Sequence, residues 1–347
     1  MVKSLYDISW QVDEPTYRAD AALSQSTLTK FERDGFSCIN KLSEKITTPA
    51  LTFGSAVDSI ITGGMEEFNS RFLVAELPVI EDSVKSIVTE AFNSYKEQYD
   101  HLSDIPADAL IAITEELKYQ PRWKPETRVR NIIEKGEELY NMMFLSDDKT
   151  ILTTDQYEKI QACVKVLKES DATGNLFAEV SPFDSDIEKL YQLKFKNTYG
   201  GVEYRGMLDL TIVDHANKII YPYDLKTTGH PEYEFFKSFL KWGYQCQARL
   251  YTRLILDNNE NDDYFKDFTV GTFKFIVVNK DTLNPLVWEF PDSKAVGTLL
   301  YGKNHDIVLR DPYDVGEELH HYLTENPNVP IGINPVNNIK EWINREL

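Results

Sequence analysis

Cysteine is scarce in this 347-residue chain: Cys38, Cys163 and Cys246 stand far apart and are odd in number. That excludes a disulfide framework and leaves no C-x-x-C spacing for zinc, so all three read as small buried hydrophobes. Long hydrophobic runs are missing too. No apolar stretch nears the roughly 20 residues that span a bilayer, which leaves no membrane among the expected partners. The opening Met1-Val2-Lys3-Ser4-Leu5-Tyr6-Asp7 meets an acid too early for a secretory signal, so an intracellular address is expected. Positive charge is in deficit, with 37 Lys and Arg against 56 Asp and Glu and a net charge of −19. A polyanion could be gripped only where basic residues gather locally, because binding is decided by the local field.

What is present suits a packed core: 42% hydrophobic and 12% aromatic residues, in a length that suggests one elaborated domain or two modest ones. Leu23-Ser24-Gln25-Ser26-Thr27 leads into helical spacing, with Ser24 or Ser26 placed to cap it. After Pro49, the residues Leu51, Phe53 or Gly54, Val57 and Ile61 fit one helix face. Gly54, Ser55 and Ala56 would let that helix pack closely, and Asp58 falls one turn beyond Gly54 on about the same side. Residues 62–150 read as mostly helical and polar. Over 153–169, Thr153 and Gln156 form a capping-box pair ahead of an apolar stripe of Tyr157, Ile160, Val164 and Leu167.

Strand patterns follow at 187–195, 203–213, 219–226 and 268–278, with turn signals at 197–201 and 214–217. Helical text lies between 231 and 255, punctuated at Gly243, and the tail from about 294 reads as helical with Pro/Asn-rich interruptions. The expected class is α/β (α+β), a central mixed sheet flanked by helices, with a helical insertion between the first helix and the sheet. Residues 1–61 would supply the N-terminal helices, 62–180 the insertion, 181–290 the sheet with its following helix, and 291–347 a C-terminal extension. All four are expected in one compact domain.

Three stretches carry chemistry: Arg205-Gly206-Met207-Leu208-Asp209, Asp224-Leu225-Lys226-Thr227-Thr228 and Gln247-Ala248-Arg249-Leu250-Tyr251. Residues two apart in a strand share a face, so Asp224 points with Lys226, and Arg205 with Asp209. On neighbouring strands Asp209 and Asp224 can converge with Lys226 beside them. Gln247 and Tyr251 lie one helical turn apart and present a common edge. Two carboxylates with a backbone carbonyl suit a hard, oxygen-seeking cation such as Mg²⁺, which polarises a phosphate and acidifies a water. A lysine supplies positive charge where a phosphodiester transition state gathers negative charge. Glu188, on the polar face of the first strand with Gln192 and Lys194, is a further candidate carboxylate for the metal.

Gly206-Met207-Leu208-Asp209, Tyr223-Asp224-Leu225-Lys226-Thr227-Thr228 and Tyr244-Gln245-Cys246-Gln247-Ala248-Arg249-Leu250-Tyr251 resemble the RecB-like and RecE-like exonucleases of the PD-(D/E)XK superfamily, including the exonuclease VIII type of phage recombination systems. The resemblance covers residues from about 20 to 60 and about 185 to 280. It implies a PD-(D/E)XK core and a DNA exonuclease dependent on Mg²⁺ or Mn²⁺. Asp209 and Asp224 would be metal ligands, the Leu225 carbonyl a third, Lys226 the catalytic lysine, and Gln247 with Tyr251 the motif that supports the site and lines the DNA path. Where the family usually carries a histidine, often a metal ligand, this chain has Asp58. Relatives with an iron–sulfur cluster need four cysteines, so that cofactor is not expected. The implied setting is the cytoplasm of a bacterial or phage-infected cell. The implied partners are DNA, as double-stranded ends or single strands, with a single-strand annealing protein and further copies of the chain as candidates. A structure-specific endonuclease on the same core, and a degenerate fold that only binds DNA or protein, are the rival readings.

Basic charge gathers at 118–135. There Lys118, Arg122, Lys124, Arg128, Arg130 and Lys135 face only Glu126 and Glu134, with Tyr119 and Trp123 interleaved. That mixture of bases and rings suits contact with nucleic acid. Arg205 is a second candidate for holding a phosphate. His305, His320 and His321 lack ligand spacing and read as surface residues.

Overall fold

A computed structural model describes residues 2–346 apart from 43, 45–46, 77, 147–148, 182–185 and 325–338. The chain divides into two compact units, residues 1–63 with 162–347, and residues 64–161.

The larger unit is built on a seven-stranded mixed sheet: β1 (Leu23–Ser24), β2 (Ile187–Tyr199), β3 (Val202–Asp214), β4 (Ile219–Thr228), β5 (Thr269–Val270), β6 (Phe273–Asn279) and β7 (Pro285–Phe290). Gly200 and Gly201, at φ +59° and +81°, make the two-residue turn that joins β2 to β3, the geometry that matches the twist of a hairpin. The pair then runs antiparallel from Tyr199↔Val202 to Ile187↔Asp214. A second turn is pinned by the Asp214 carboxylate, which accepts the Asn217 backbone and side-chain N–H groups at 2.9 and 2.8 Å. It returns the chain as β4, antiparallel to β3. From there α3 (Phe235–Lys241) and α4 (Tyr244–Glu260) carry the chain to β6, which lies parallel to β4; a parallel pair requires such a crossover. β7 closes the sheet antiparallel to β6.

Helix α1 (Gln25–Asp34) starts at Ser24, whose side chain accepts the Thr27 N–H; of the two expected caps, Ser24 is the one used. Helix α2 runs Pro49–Arg71, interrupted by Gly64 at φ +73°. Its buried face is Ala56, Val57, Ile60 and Ile61. Leu51, expected on that face, is 57% exposed because the helix begins a turn outside the core. The core of the unit joins Phe195, Tyr204, Leu208, Leu250, Leu254, Phe273 and Phe275 between sheet and helices.

The strand pattern at 268–278 is split into β5 and β6, and β7 is a strand beyond those the sequence predicts. Nor is the tail helical from about 294. Thr298–Leu300 and Ile307–Leu309 form an antiparallel pair before α5 (Pro312–Thr324) and α6 (Ile339–Glu346). These strands are three residues long, too short to show a period. The Pro/Asn-rich interruption at 325–338 lies outside the described residues.

The second unit packs the helices Asp82–Tyr95, Ala107–Glu116 and Pro125–Leu145 around Val84, Ile87, Val88, Leu110, Ile132 and Tyr140. In it Phe72–Val74 and Thr150–Leu152 pair in parallel. Thr153 and Gln156 cap each other's backbone at 2.9 and 3.2 Å ahead of the helix Thr154–Glu169, as the sequence predicts. Among the described residues no helix is long and apolar enough to cross a membrane.

Candidate active site

The site begins with a gap in the sheet. Along one edge of β3, β4 pairs with Leu210 to Asp214, while β1 pairs with Tyr204 and Arg205. Among the described residues no strand pairs with Gly206 to Asp209 on that edge. The β3–β4 ladder stops at Leu210↔Tyr223, so Asp209 and Asp224 are the next residues on each strand, where the two part. Main-chain groups left unpaired in such a fork need other partners. Asp209 Oδ2 accepts the Leu225 N–H at 2.7 Å, bridging the strands by side chain where the ladder fails. Tyr251 of α4 lies against this open stretch of β3, its ring beside Gly206. Gly206 makes room for that ring, since a Cβ there would stand 2.6 Å from Tyr251 Cδ1.

Asp224 is 2% exposed. One oxygen accepts Nε2 of Gln247 and the other pairs with Lys226 Nζ. The Lys226 ammonium also lies 4.7 Å from the centre of the Tyr244 ring, a cation–π contact. Burial opposes the lysine's charge, but Asp224, Tyr244 and Asp209 outweigh it and hold its pKa above the ordinary value. Asp209 moves the other way. Burial drives its pKa well above the usual carboxylate range, and the like charges of Asp224 and Asp58 push it further. Burial likewise raises Tyr251, helped by Tyr17, Asp224 and Asp209, so it stays a neutral phenol at physiological pH.

Asp58 therefore belongs to the same electrostatic neighbourhood. Gln192 Nε2 reaches its two oxygens at 3.3 and 3.1 Å. Gln192 stands opposite Asp209, between the pairs Tyr191↔Leu210 and Leu193↔Leu208, with φ +52°. A non-glycine residue in that conformation is strained and worth functional scrutiny. The small-residue stretch places α2 close to β4: a Cβ on Gly54 would sit 3.0 Å from Thr227 Oγ1.

The structure thus gathers Asp58, Asp209, Asp224, Leu225, Lys226, Gln247 and Tyr251. It sets other candidates apart. Glu188 lies at the far end of β2, opposite Val213; it accepts the Leu5 N–H at 3.1 Å and the Ser4 hydroxyl, and stands 3.6 Å from His215 Nε2. It anchors the N-terminal turn and is no ligand of the fork. Arg205 is 9% exposed, with its guanidinium on the carbonyls of Ala22 and Tyr17, so it holds the N-terminal segment and offers no phosphate contact. In the second unit Arg128 is buried and 3.2 Å from Glu115, Tyr119 is buried on Asn131, and Lys135 is spent on Glu81. Arg122, Trp123, Lys124 and Arg130 remain exposed. Gln192 and Tyr244 join the site beyond the residues that the sequence predicts for it. Tyr244 directly follows the helix-starting Gly243, and Gln192 shares the polar alternation of its strand, but neither signal ties them to Lys226 or Asp58.

No family model matches the chain, and no curated protein matches it. Among solved structures, a chain from Eubacterium rectale provisionally named an exonuclease aligns with 96% of this chain and 87% of its own, at 11% identity and a TM-score of 0.41. Protein VC1899 from Vibrio cholerae aligns over 70% of this chain at 12% identity and a TM-score of 0.17; this chain spans about half of its length, 49%. Likenesses this slight carry no chemistry across.

Proposed function

We propose that the chain is a metal-dependent DNA nuclease of the PD-(D/E)XK type that works as an exonuclease at DNA ends. The observation that carries this reading is the fork itself, where Asp224, paired with Lys226, and Asp58 both press their charge on the buried Asp209. Crowded carboxylates of this kind are costly unless a cation discharges them.

That excess of negative charge fits a hard divalent cation. Among the described residues no three His, Cys, Asp or Glu side chains are grouped so as to hold a metal ion; Asp209 is turned to Leu225, and Asp224 to Lys226 and Gln247. Asp209, Asp224 and the Leu225 carbonyl would hold Mg²⁺ or Mn²⁺, with Asp58 at its side. The ion would polarise the scissile phosphate and acidify a water. Lys226, released from Asp224, would place its charge against the phosphate oxygens. Gln247 keeps Asp224 oriented through its amide, and the Tyr251 ring backs β3 at Gly206. Arg122, Lys124 and Arg130 are available for phosphate contacts and Trp123 for stacking.

The test incubates the purified chain with end-labelled linear DNA and closed circular DNA, with and without Mg²⁺. Metal-dependent loss of label from linear DNA alone is expected. Cutting of the circle would replace the exonuclease with an endonuclease, and no cleavage with either Mg²⁺ or Mn²⁺ would sink the reading.

A further inference from the structure

We infer that Tyr244 is the positioning residue of Lys226: the face of its ring keeps the lysine ammonium aimed into the fork when Asp224 is turned away from it. What the lysine is used for rests on the nuclease reading above, whereas the contact itself does not.

Lys226 sits on β4 with its side chain 19% exposed, between two neighbours of different kinds. One is the Asp224 carboxylate, two residues back along the same strand; the other is the Tyr244 ring, whose centre lies 4.7 Å from Nζ. The two cannot do the same work. Asp224 is also the carboxylate that a divalent cation would draw on, and what it gives to a cation it withdraws from the lysine. While the pair lasts, it occupies an N–H of the ammonium and offsets its charge. A lysine released from such a pair has a flexible four-carbon stem and gains conformational entropy by leaving the site.

An aromatic ring holds a cation by other means. Its face attracts the ammonium through the ring quadrupole and carries no net charge. The ammonium on Tyr244 therefore keeps its full charge and its three donors for phosphate oxygens. The phenol stays neutral beside it, because burial raises its pKa against the opposing pull of Lys226.

The ring is held by packing that involves neither Asp224 nor a metal. Gly243, at φ +65°, starts α4 in a conformation that costs a glycine little. A Cβ there would meet Thr29 Cγ2 at 2.5 Å, so the helix enters close against α1 with Tyr244 as its first residue. The Tyr244 ring then stacks on Phe235 at 6.0 Å and on Phe275 at 5.6 Å, with interplanar angles of 25° and 27°. Phe275 is fully buried on β6, opposite Asp224 in the parallel register. The ring is thus braced on the strand pair that carries the lysine.

The experiment has a metal-free arm and a kinetic arm, both on the full chain. In EDTA, NMR follows the Cε protons of Lys226 with ¹³C-labelled lysine, the signal being identified by its loss in Lys226→Arg. The ring current should hold that signal upfield of free lysine in wild type, in Tyr244→Phe and in Asp224→Asn, where the ion pair is gone but the ring remains. Tyr244→Leu should return it to the free position. A Lys226 signal without ring-current shift, or one that loses it in Asp224→Asn, would overturn the inference. In Mg²⁺, Tyr244→Phe should cut DNA near the wild-type rate, whereas Tyr244→Leu should lose about tenfold or more in kcat with little change in KM. Phenylalanines bearing one, two and three fluorines at position 244 keep the shape of the ring and weaken its quadrupole, so kcat should fall in steps along the series. This series also serves if Tyr244→Leu does not fold. Equal rates along it would defeat the role of the ring in a chain that cuts DNA, whereas a chain that passes the NMR arm but never cuts defeats only the nuclease reading.

Discussion

Helix α4 has buried charge on two sides, and the two sides are built on opposite rules. Away from the fork, Arg249, Arg253 and Asp257 recur every four residues. Arg249 is fully buried and donates to the carbonyls of Asp292 and Leu309 at 3.3 and 3.1 Å and to the Thr298 hydroxyl. Arg253 meets Asp311 at 2.7 Å, and Asp257 accepts from Tyr313 and Asn197, each at 2.9 Å. Charge there is matched, and its effect is to clamp the C-terminal elements onto the helix. Toward the fork, Gln247 and Tyr251 face carboxylates that outnumber the one lysine. A matched cluster is architecture. An unmatched one at the same depth is where a ligand or a reaction is to be sought.

The largest expected effect separates the two sides by activity. Asp224→Asn keeps the shape of the fork but removes the charge of a proposed metal ligand, and cleavage should fall by at least about 10²- to 10³-fold, the loss typical of removing one group that stabilises a transition state. Far-ultraviolet circular dichroism of the variant should match wild type. A variant that cuts at the wild-type rate would assign the chemistry elsewhere.

Next in size is a stability effect on the other side. Arg253→Ala leaves Asp311, 1% exposed, without its cation, and breaking a buried pair in this way costs about 3–5 kcal/mol. Urea unfolding should show that loss, while turnover per folded molecule at low temperature stays near wild type. Turnover lost in proportion to Asp224→Asn would break the division between clamp and fork.

A smaller effect is set by pH. The folded pKa of Asp209 lies above its unfolded value, by burial first and then by Asp224 and Asp58. Its protonated form therefore stabilises the metal-free fold below about pH 4, near the unfolded carboxylate value, and that contribution is lost as pH rises through the raised folded pKa. Asp209→Asn should melt above wild type at neutral pH without divalent cations, and the two should converge toward pH 4. Mg²⁺ should raise the melting temperature of wild type and leave the variant nearly unmoved. A neutral-pH melting temperature unaffected by the substitution would mean that the crowding is relieved by other means.

Much of this was legible in sequence because it is local. Period-two alternation marked β2, β3 and β4, and the spacing of Asp224 with Lys226 and of Gln247 with Tyr251 placed each pair together. The fork was not legible. It exists because β1, nearly two hundred residues upstream, docks on Tyr204 and Arg205 and leaves Gly206 to Asp209 open. The same docking explains Arg205, which alternation set beside Asp209 but which the carbonyls of Ala22 and Tyr17 had already taken. Glu188 departs from expectation for a like reason: a polar strand face says nothing of which rung meets the N-terminal turn. In the basic run, Arg128 pairs with an acid on a neighbouring helix and Lys135 with Glu81, just ahead of another, so a count of charges overstates the free ones.

The smallest effect concerns Gln192, the residue that alternation could not single out. Its amide reaches both oxygens of Asp58 from a strained mid-strand position facing Asp209. Such a contact does not touch the reacting atoms; it fixes the direction of a carboxylate that would stand beside the metal. Loss of an orienting partner of this kind typically costs about 10- to 100-fold in metal affinity. Gln192→Ala should therefore raise the Mg²⁺ concentration for half-maximal cleavage by about tenfold, the low end of that range, because Asp58 is one donor beside two others. Cleavage at saturating Mg²⁺ should stay within about twofold of wild type, since Asp224 and Lys226 are unaltered. Gln192→Glu should do more harm than alanine, because a fourth carboxylate adds repulsion where Asp58, Asp209 and Asp224 already crowd. Asp58→His removes that crowding and substitutes an imidazole, which moves metal preference from Mg²⁺ toward Mn²⁺. A metal titration of wild type and the three variants measures all of this at once. Identical curves would place Asp58 and Gln192 with the clamp, as charge and hydrogen bonding that hold α2 against the sheet.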